Sequence, residues 1–222
     1  MILGIPKEVV DGETRVAIVP ESVGRLTGKL GYSVKIQSGA GEASGFSDAA
    51  YQKEGATIVA DAAALYSEAD VILKVQRPIQ HPSGKHELEM MKKGAVYVGF
   101  FYPLSNHDDV KKAASVGVDV IAMDQVPRIT KAQRMDVLSS QTNLAGYKAA
   151  IIAADELGKI FPLMMTAAGT ISPAKIVVLG AGVAGLQAIA TARRLGAVVE
   201  VSDVRTAVKE QVESLGARYI EP

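Results

Sequence analysis

The feature that most constrains this chain is a short apolar run that meets a glycine turn without a gap. Ile176-Val177-Val178-Leu179 is wholly apolar and rich in β-branched side chains, as expected of a central parallel strand. Gly180-Ala181-Gly182-Val183-Ala184-Gly185 follows at once, and Val183–Leu195 then carries a helical pattern that stops at Gly196. A bare G-x-G-x-x-G is a weak signal. Strand, turn and helix in that order make it a dinucleotide-binding fingerprint. Gly180 is expected to permit the tight turn, and Gly182 to let backbone amides approach a pyrophosphate. Gly185 is expected to let helix lie close to strand. Val183 and Ala184 open the helix, whose N-terminus presents N–H groups and partial positive charge to the phosphates.

A second strand, Val198–Ser202, ends at Asp203, about 20 residues beyond the glycines, where such folds place a carboxylate on the adenosine ribose hydroxyls. A carboxylate there repels a 2′-phosphate and favours NAD(H) over NADP(H). Arg205, one residue past Val204, is the opposing signal, because an arginine there can accommodate that phosphate. NAD(H) is the expected cofactor, with Asp203, Val204 and Arg205 at its adenosine end. The competing reading is a plain glycine-rich turn in an α/β domain. A second glycine cluster, Gly39-Ala40-Gly41-Glu42-Ala43-Ser44-Gly45, has the wrong spacing and points Glu42 where a phosphate would lie, so it reads as a loop.

Short apolar runs alternate with helical patterns from the start, the signature of βαβ units. The expected strands are Ile2–Ile5, Ser33–Gln37, Val71–Val75, Ala95–Phe100 and Asp119–Ala122. Between them the expected helices are Glu21–Leu30, Asp48–Glu54, Asp61–Ser67, His86–Met91 and Asp108–Ser115. A longer helix is expected from about Ser139 to Leu157, followed by Ala167–Pro173 as a linker. The fold class is therefore α/β: two Rossmann-like domains with mostly parallel sheets, residues 1–140 and 141–222, the second incomplete. From Ile176 to Pro222 there is room for β-α-β-α and the start of a third strand, Arg218–Ile220, which is one mononucleotide half of a two-half fold. A truncated chain is the expectation, with weak affinity and negligible catalysis in isolation.

Composition removes several function classes. Lys plus Arg and Asp plus Glu number 24 each, so no global field draws the chain to a polyanion, and nucleic acid is not an expected partner. The absence of cysteine excludes disulfides, thiolate metal sites and a cysteine nucleophile, and it fits a reducing compartment. No metal site is read. The most apolar stretch, residues 176–192, is broken by glycines, Gln187 and Thr191, and falls short of the roughly 20 residues a membrane helix needs. No direct membrane insertion is expected.

Arg128–Gln141 is a polar segment dense in hydrogen-bonding groups. Gln133 offers the donor and acceptor that a nicotinamide carboxamide needs, and an Arg128–Asp136 pair would brace the loop. A solvated linker leading into a helix capped by Ser139 or Ser140 accounts for the same residues.

The pattern Met123-Asp124-x-Val126-Pro127-Arg128-Ile129-x-x-Ala132-Gln133-x-x-Asp136-x-Leu138-Ser139-Ser140 closely resembles the NAD(H)-binding component of proton-translocating NAD(P) transhydrogenases. So do Ala145-Gly146-Tyr147, Thr166-Ala167-Ala168-Gly169, the glycine turn and Lys209–Gly216; the resemblance runs from Gly4-Ile5-Pro6-Lys7-Glu8 onward. It implies that Arg128, Ile129, Gln133, Asp136 and Ser139 hold the nicotinamide half of NAD(H), with Arg128, Gln133 and Asp136 beside the reacting ring. It further implies a homodimer on the cytoplasmic or matrix side of a membrane. The implied partners carry the NADP(H) site and the proton channel.

Alanine dehydrogenases share this superfamily. Arg15 and Lys74 match positions that those enzymes use for the substrate carboxylate and carbonyl. Their catalytic histidine would fall in Val98–Pro103, which contains none. His81, His86 and His107 all read as surface residues. An alanine dehydrogenase-like oxidoreductase and a non-catalytic NAD-binding module remain the alternative functions.

Overall fold

A computed structural model describes all 222 residues. Residues Met1–Asp136 form one unit and Val137–Pro222 a second. The sequence-based boundary between residues 140 and 141 thus falls inside the first helix of the second unit, and Ser139 goes with that unit.

The first unit is built on six parallel strands: β1 (Ile2–Ile5), β2 (Ser33–Gln37), β3 (Thr57–Val59), β4 (Val71–Leu73), β5 (Val96–Gly99) and β6 (Asp119–Ala122). Their order is β3-β2-β1-β4-β5-β6, so the sheet reverses direction of growth between β1 and β4. The crossovers carry α1 (Pro20–Gly28), α2 (Asp48–Lys53), α3 (Ala62–Glu68), α4 (Glu87–Met90) and α5 (His107–Val116). Three of these starts have a local cause: Pro20 at the first position of α1, and Ser47 and Asp61 accepting backbone N–H bonds at the head of α2 and α3. Alternation along β1 splits the core between two faces. Leu3 and Ile5 pack with Val23, Val34, Ile36 and Tyr51. On the other face, Gly4 lies against Leu65, Ala69 and Ile72. Leu65, Tyr66, Leu88 and Tyr97 complete that layer.

Two expectations fail in this unit. The strand β3 was not foreseen, because three residues at a sheet edge carry too short a pattern to read. His86 is not a surface residue: it is buried, its Nδ1 accepts the Leu88 amide, and with Glu89 it forms a reciprocal cap on α4.

The second unit opens with α6 (Val137–Glu156). Three parallel strands follow in the order β11-β10-β9: β9 (Lys175–Leu179), β10 (Val198–Ser202) and β11 (Arg218–Tyr219). They are joined by α7 (Val183–Arg194) and α8 (Lys209–Ser214). Ile189, Val199, Val201 and Val212 are central to its core, with Phe161 and Ala150 beside them. Fully burying one such aliphatic side chain stabilises the fold by about 1.5–3 kcal/mol. The expected linker at 167–173 is instead half of an antiparallel hairpin, β7 (Met164–Thr166) with β8 (Gly169–Ile171). Its turn residues, Ala167 and Ala168, lack the Asn-Gly signature that announces such a turn; the Thr166 hydroxyl, accepting from the Ala168 amide, supplies the missing bond.

Candidate functional site

In the second unit the turn between β9 and α7 has the geometry its glycines require. Gly180 has φ +97°, a left-handed conformation that side chains rarely adopt, and its amide is held by the Ser202 carbonyl at 2.8 Å. A Cβ on Gly185 would stand 1.9 Å from the Gly180 carbonyl oxygen, so any side chain there would force the turn open. Gly182 is different. A Cβ on it would meet nothing within 4 Å, so no neighbour in the chain demands a glycine. What its missing side chain provides is space in front of α7.

No side chain caps α7, whose cap position is Gly182 itself. The Leu186 amide is the first to bond within the helix, to the Gly182 carbonyl. The preceding amides, through Val183, Ala184 and Gly185, have no intrahelical acceptor and point at that space. A pyrophosphate fits them in charge and in size. The chemistry of this donor set therefore suits the diphosphate of a dinucleotide.

Asp203 lies at the end of β10 with its side chain only 5% exposed. One carboxylate oxygen accepts the Ala181 amide at 2.7 Å and Arg205 Nη2 at 2.9 Å. The other accepts the Arg205 amide at 2.8 Å and Arg205 Nε at 3.0 Å. The Arg205 guanidinium, aided by the Ala181 and Arg205 amides, holds this carboxyl far below the usual carboxylate range. Sequence reasoning placed Asp203 on the ribose; here its acceptor positions are filled from within the chain. It ties the glycine turn to β10, and a ribose would reach it only as the Arg205 side chain moves away. Leu179, Gly180, Ser202, Asp203, Val204 and Arg205 line an open concavity of about 390 Å³ beside the turn, in the range of ligand pockets. Leu179 and Val204 are 83% and 86% exposed there.

The first unit has its own candidate position. Ligands of doubly wound sheets bind at the carboxyl ends of the strands where strand order reverses, here β1 and β4. That position is crowded with charge. Lys74, just past β4, is fully buried; its Nζ donates to both Glu87 oxygens at 2.6 and 2.7 Å and stands 3.6 Å from Glu8. Glu87 also accepts the Tyr66 hydroxyl at 2.7 Å and the Ile79 amide at 2.9 Å. Glu8 accepts the Val75 amide; burial pushes its carboxyl up, with Lys74 pulling the other way.

Outside this cluster Glu13 accepts Arg15 through Nε and Nη2 at 2.8 and 2.6 Å, and Gln76 at 2.8 Å. Those bonds, Arg15's first, lower Glu13 to about 2. The glycine cluster read as a loop does line a crevice: Gly39, Ala40, Glu42 and Ala43 face Lys7, Glu8, Glu13 and Arg15 across about 160 Å³. Tyr102, in the segment expected to lack a catalytic histidine, has φ +51°, and its amide and that of Phe101 bond to Asp124.

The polar segment is a short 3₁₀ helix, Thr130–Met135, anchored by buried Ala132. Arg128, Ile129 and Gln133 are exposed, and Asp136 is half-buried. Ser139 is half-buried near the start of α6. Thus the structure gathers Gly180, Gly182, Val183, Ala184, Gly185, Asp203, Val204 and Arg205 about one turn in the second unit. Arg128, Ile129, Gln133 and Asp136 share one loop of the first. Sequence reasoning missed Glu8 and Glu87 as partners of Lys74. Glu8 follows the end of β1 and Glu87 opens α4, the helix after β4; neither pairing has a local pattern, because both depend on the fold bringing these positions to Lys74.

Two family models match the chain in tandem: alanine dehydrogenase/PNT, N-terminal domain, over residues 4–145, and alanine dehydrogenase/PNT, C-terminal domain, over residues 149–222. The chain belongs to the alanine dehydrogenase/PNT family. Within that family it is 51% identical to an NAD(P) transhydrogenase alpha-subunit chain of Rhodospirillum rubrum over 220 residues, covering 99% of this chain and 57% of that protein. It is 33% identical to the alanine dehydrogenase of Mycolicibacterium smegmatis over 216 residues, 96% of this chain and 56% of that protein. The crystal structure of a transhydrogenase from Sinorhizobium meliloti superimposes with a TM-score of 0.93 at 51% identity, over 99% of this chain and 61% of that one. The chain therefore spans a little over half the length of these relatives, and the transhydrogenase branch is the nearer one. No helix is long and apolar enough to cross a membrane.

Proposed function

We propose that this chain is the NAD(H)-binding part of a proton-translocating transhydrogenase, in which hydride passes directly between NAD(H) held here and NADP(H) held on a partner domain. The observation that carries the choice is the charged crevice at β1 and β4. A 2-oxo acid substrate needs cations for its carboxylate and carbonyl. Lys74 is bound by Glu87 and Glu8, and Arg15 by Glu13, so neither presents uncompensated charge. Hydride transfer between two nicotinamide rings creates and consumes no hydroxyl, and so requires no general acid. The protein's part is orientation and exclusion of water.

In this reading the turn at Gly180, Gly182, Val183, Ala184 and Gly185 holds the pyrophosphate. Asp203, Val204 and Arg205 take the adenosine end, and Arg205 leaves Asp203 as the ribose arrives. Arg128, Ile129, Gln133, Asp136 and Ser139 hold the nicotinamide half, with Arg128, Gln133 and Asp136 nearest the reacting carbon. The partners are the NADP(H)-binding and membrane proton-channel components, on the cytoplasmic or matrix side, with a second copy of the chain completing a homodimer.

The test is an assay of the complete protein with NADH and an NADP⁺ analogue, with and without the NADP-binding partner. Partner-dependent reduction of the analogue is expected, and no NADH oxidation with pyruvate and ammonia. Oxidation by pyruvate and ammonia would favour the alanine dehydrogenase reading. NADH binding without transfer to the partner's nucleotide would favour a non-catalytic module.

A further inference from the structure

Helix α6 packs along α7, and its Gly146, which the site does not include, meets the first turn of that helix. A Cβ on Gly146 would stand 2.1 Å from the carbonyl oxygen of Ala184, and 2.8 and 2.9 Å from its carbonyl carbon and Cα. All three are backbone atoms in the first turn of α7, so no flexible side-chain end can swing aside. Real Cβ atoms essentially never approach closer than 3.0 Å, and a methyl group here would displace the turn or α6 by about 1 Å. A displacement of that size at a binding turn costs up to about two orders of magnitude in function.

Only Gly146 and Ala150 are buried along the 20 residues of α6, and at a spacing of four they share one face. We propose that Gly146 is a positioning residue for the dinucleotide turn: its missing side chain lets α6 lie against Ala184 and so sets where the amides of Val183, Ala184 and Gly185 point. This rests on the reading that the turn holds NAD(H). Helix propensity predicts the opposite sign, because alanine is the better helix former and Gly146→Ala would then strengthen α6.

The experiment is a chemical-shift titration of NADH into the wild-type chain, Gly146→Ala and Val212→Ala. Val212 is a fully buried core residue of α8, outside the turn. Gly146→Ala is expected to weaken NADH binding at least tenfold. Its NADH-induced shifts at Val183–Gly185 should be altered while those at Val204 and Arg205 keep their wild-type pattern. Val212→Ala, although less stable, should bind as wild type. Unchanged affinity in folded Gly146→Ala overturns the proposal, and so does an equal loss in both variants. Should Gly146→Ala fail to fold, hydrogen exchange on the wild type decides: NADH must slow exchange across residues 143–150 as well as 183–186, and protection of 183–186 alone overturns the idea. No NADH binding by folded wild-type chain would instead sink the functional reading, and this proposal with it.

Discussion

At the carboxyl end of β1 the chain leaves through Pro6-Lys7-Glu8 and fills the space beyond with charged side chains; at the end of β9 it leaves through Gly180-Ala181-Gly182 and fills it with nothing. Both strands begin parallel βαβ series, and both ends are places where such folds bind ligands. In the first unit the charges answer one another: Lys74 with Glu87 and Glu8, Arg15 with Glu13. In the second, the helix N-terminus has no side-chain cap and Gly182 faces open space. One architecture thus carries a self-neutralised crevice and a polar end suited to an anion. Function follows from the residues at the strand ends rather than from the fold.

The largest effect that would break this contrast lies in the first unit. Lys74→Met leaves Glu8 and Glu87 buried without their cation, and breaking a buried pair in this way costs about 3–5 kcal/mol. Chemical denaturation should show that loss; a change below about 1 kcal/mol would mean that the cluster is hydrated and open to ligands.

Next comes Gly185→Ala in the second unit. Its methyl would collide with the Gly180 carbonyl, and NADH affinity should fall at least a hundredfold, or about 2.7 kcal/mol, by calorimetric titration. Binding at wild-type strength would remove the turn from the site.

Arg205→Ala sharpens the contrast more gently. It strips the counter-charge from Asp203 and the cation that would greet a 2′-phosphate, so the preference for NADH over NADPH should rise about tenfold, or about 1.4 kcal/mol. A fall in that preference would mean that Arg205 serves the ribose directly.

The smallest effect is on acid stability. Glu13 has its folded value lowered to about 2 from an ordinary 4.5. A depressed carboxyl contributes stability that is present above pH 4.5 and is lost as the pH falls towards 2. Glu13→Gln should flatten the stability profile of the first unit across that window and leave it unchanged in slope near neutrality.

Much of the fold was legible in the sequence. The bounds of β1, β2, β6 and β10 match the expected ones residue for residue, because each carries β-branched or aliphatic residues, continuous or alternating with polar ones, over a strand-like length. Strand β3 and the β7–β8 hairpin were not legible, since each is three residues per strand and depends on pairing that no local pattern encodes. At the site, the duties of Gly180 and Gly185 could be read because they are backbone duties, fixed by a sign of φ and a close approach. The state of Asp203 could not. Whether a carboxylate faces a ligand or a neighbour depends on which donors surround it, and Arg205 is two residues away in either case. The burial of His86 escaped for a similar reason: its role as a cap is set by the turn into α4.

The measurement that bears most directly on the central claim is a residue-resolved chemical-shift titration of this chain with NADH, and separately with pyruvate. NADH should move the amides of Gly182–Gly185 and Val204–Arg205, and pyruvate should move none of those around Arg15 and Lys74. Pyruvate-induced shifts at Arg15 and Lys74, or NADH-induced shifts that bypass the glycine turn, would contradict it.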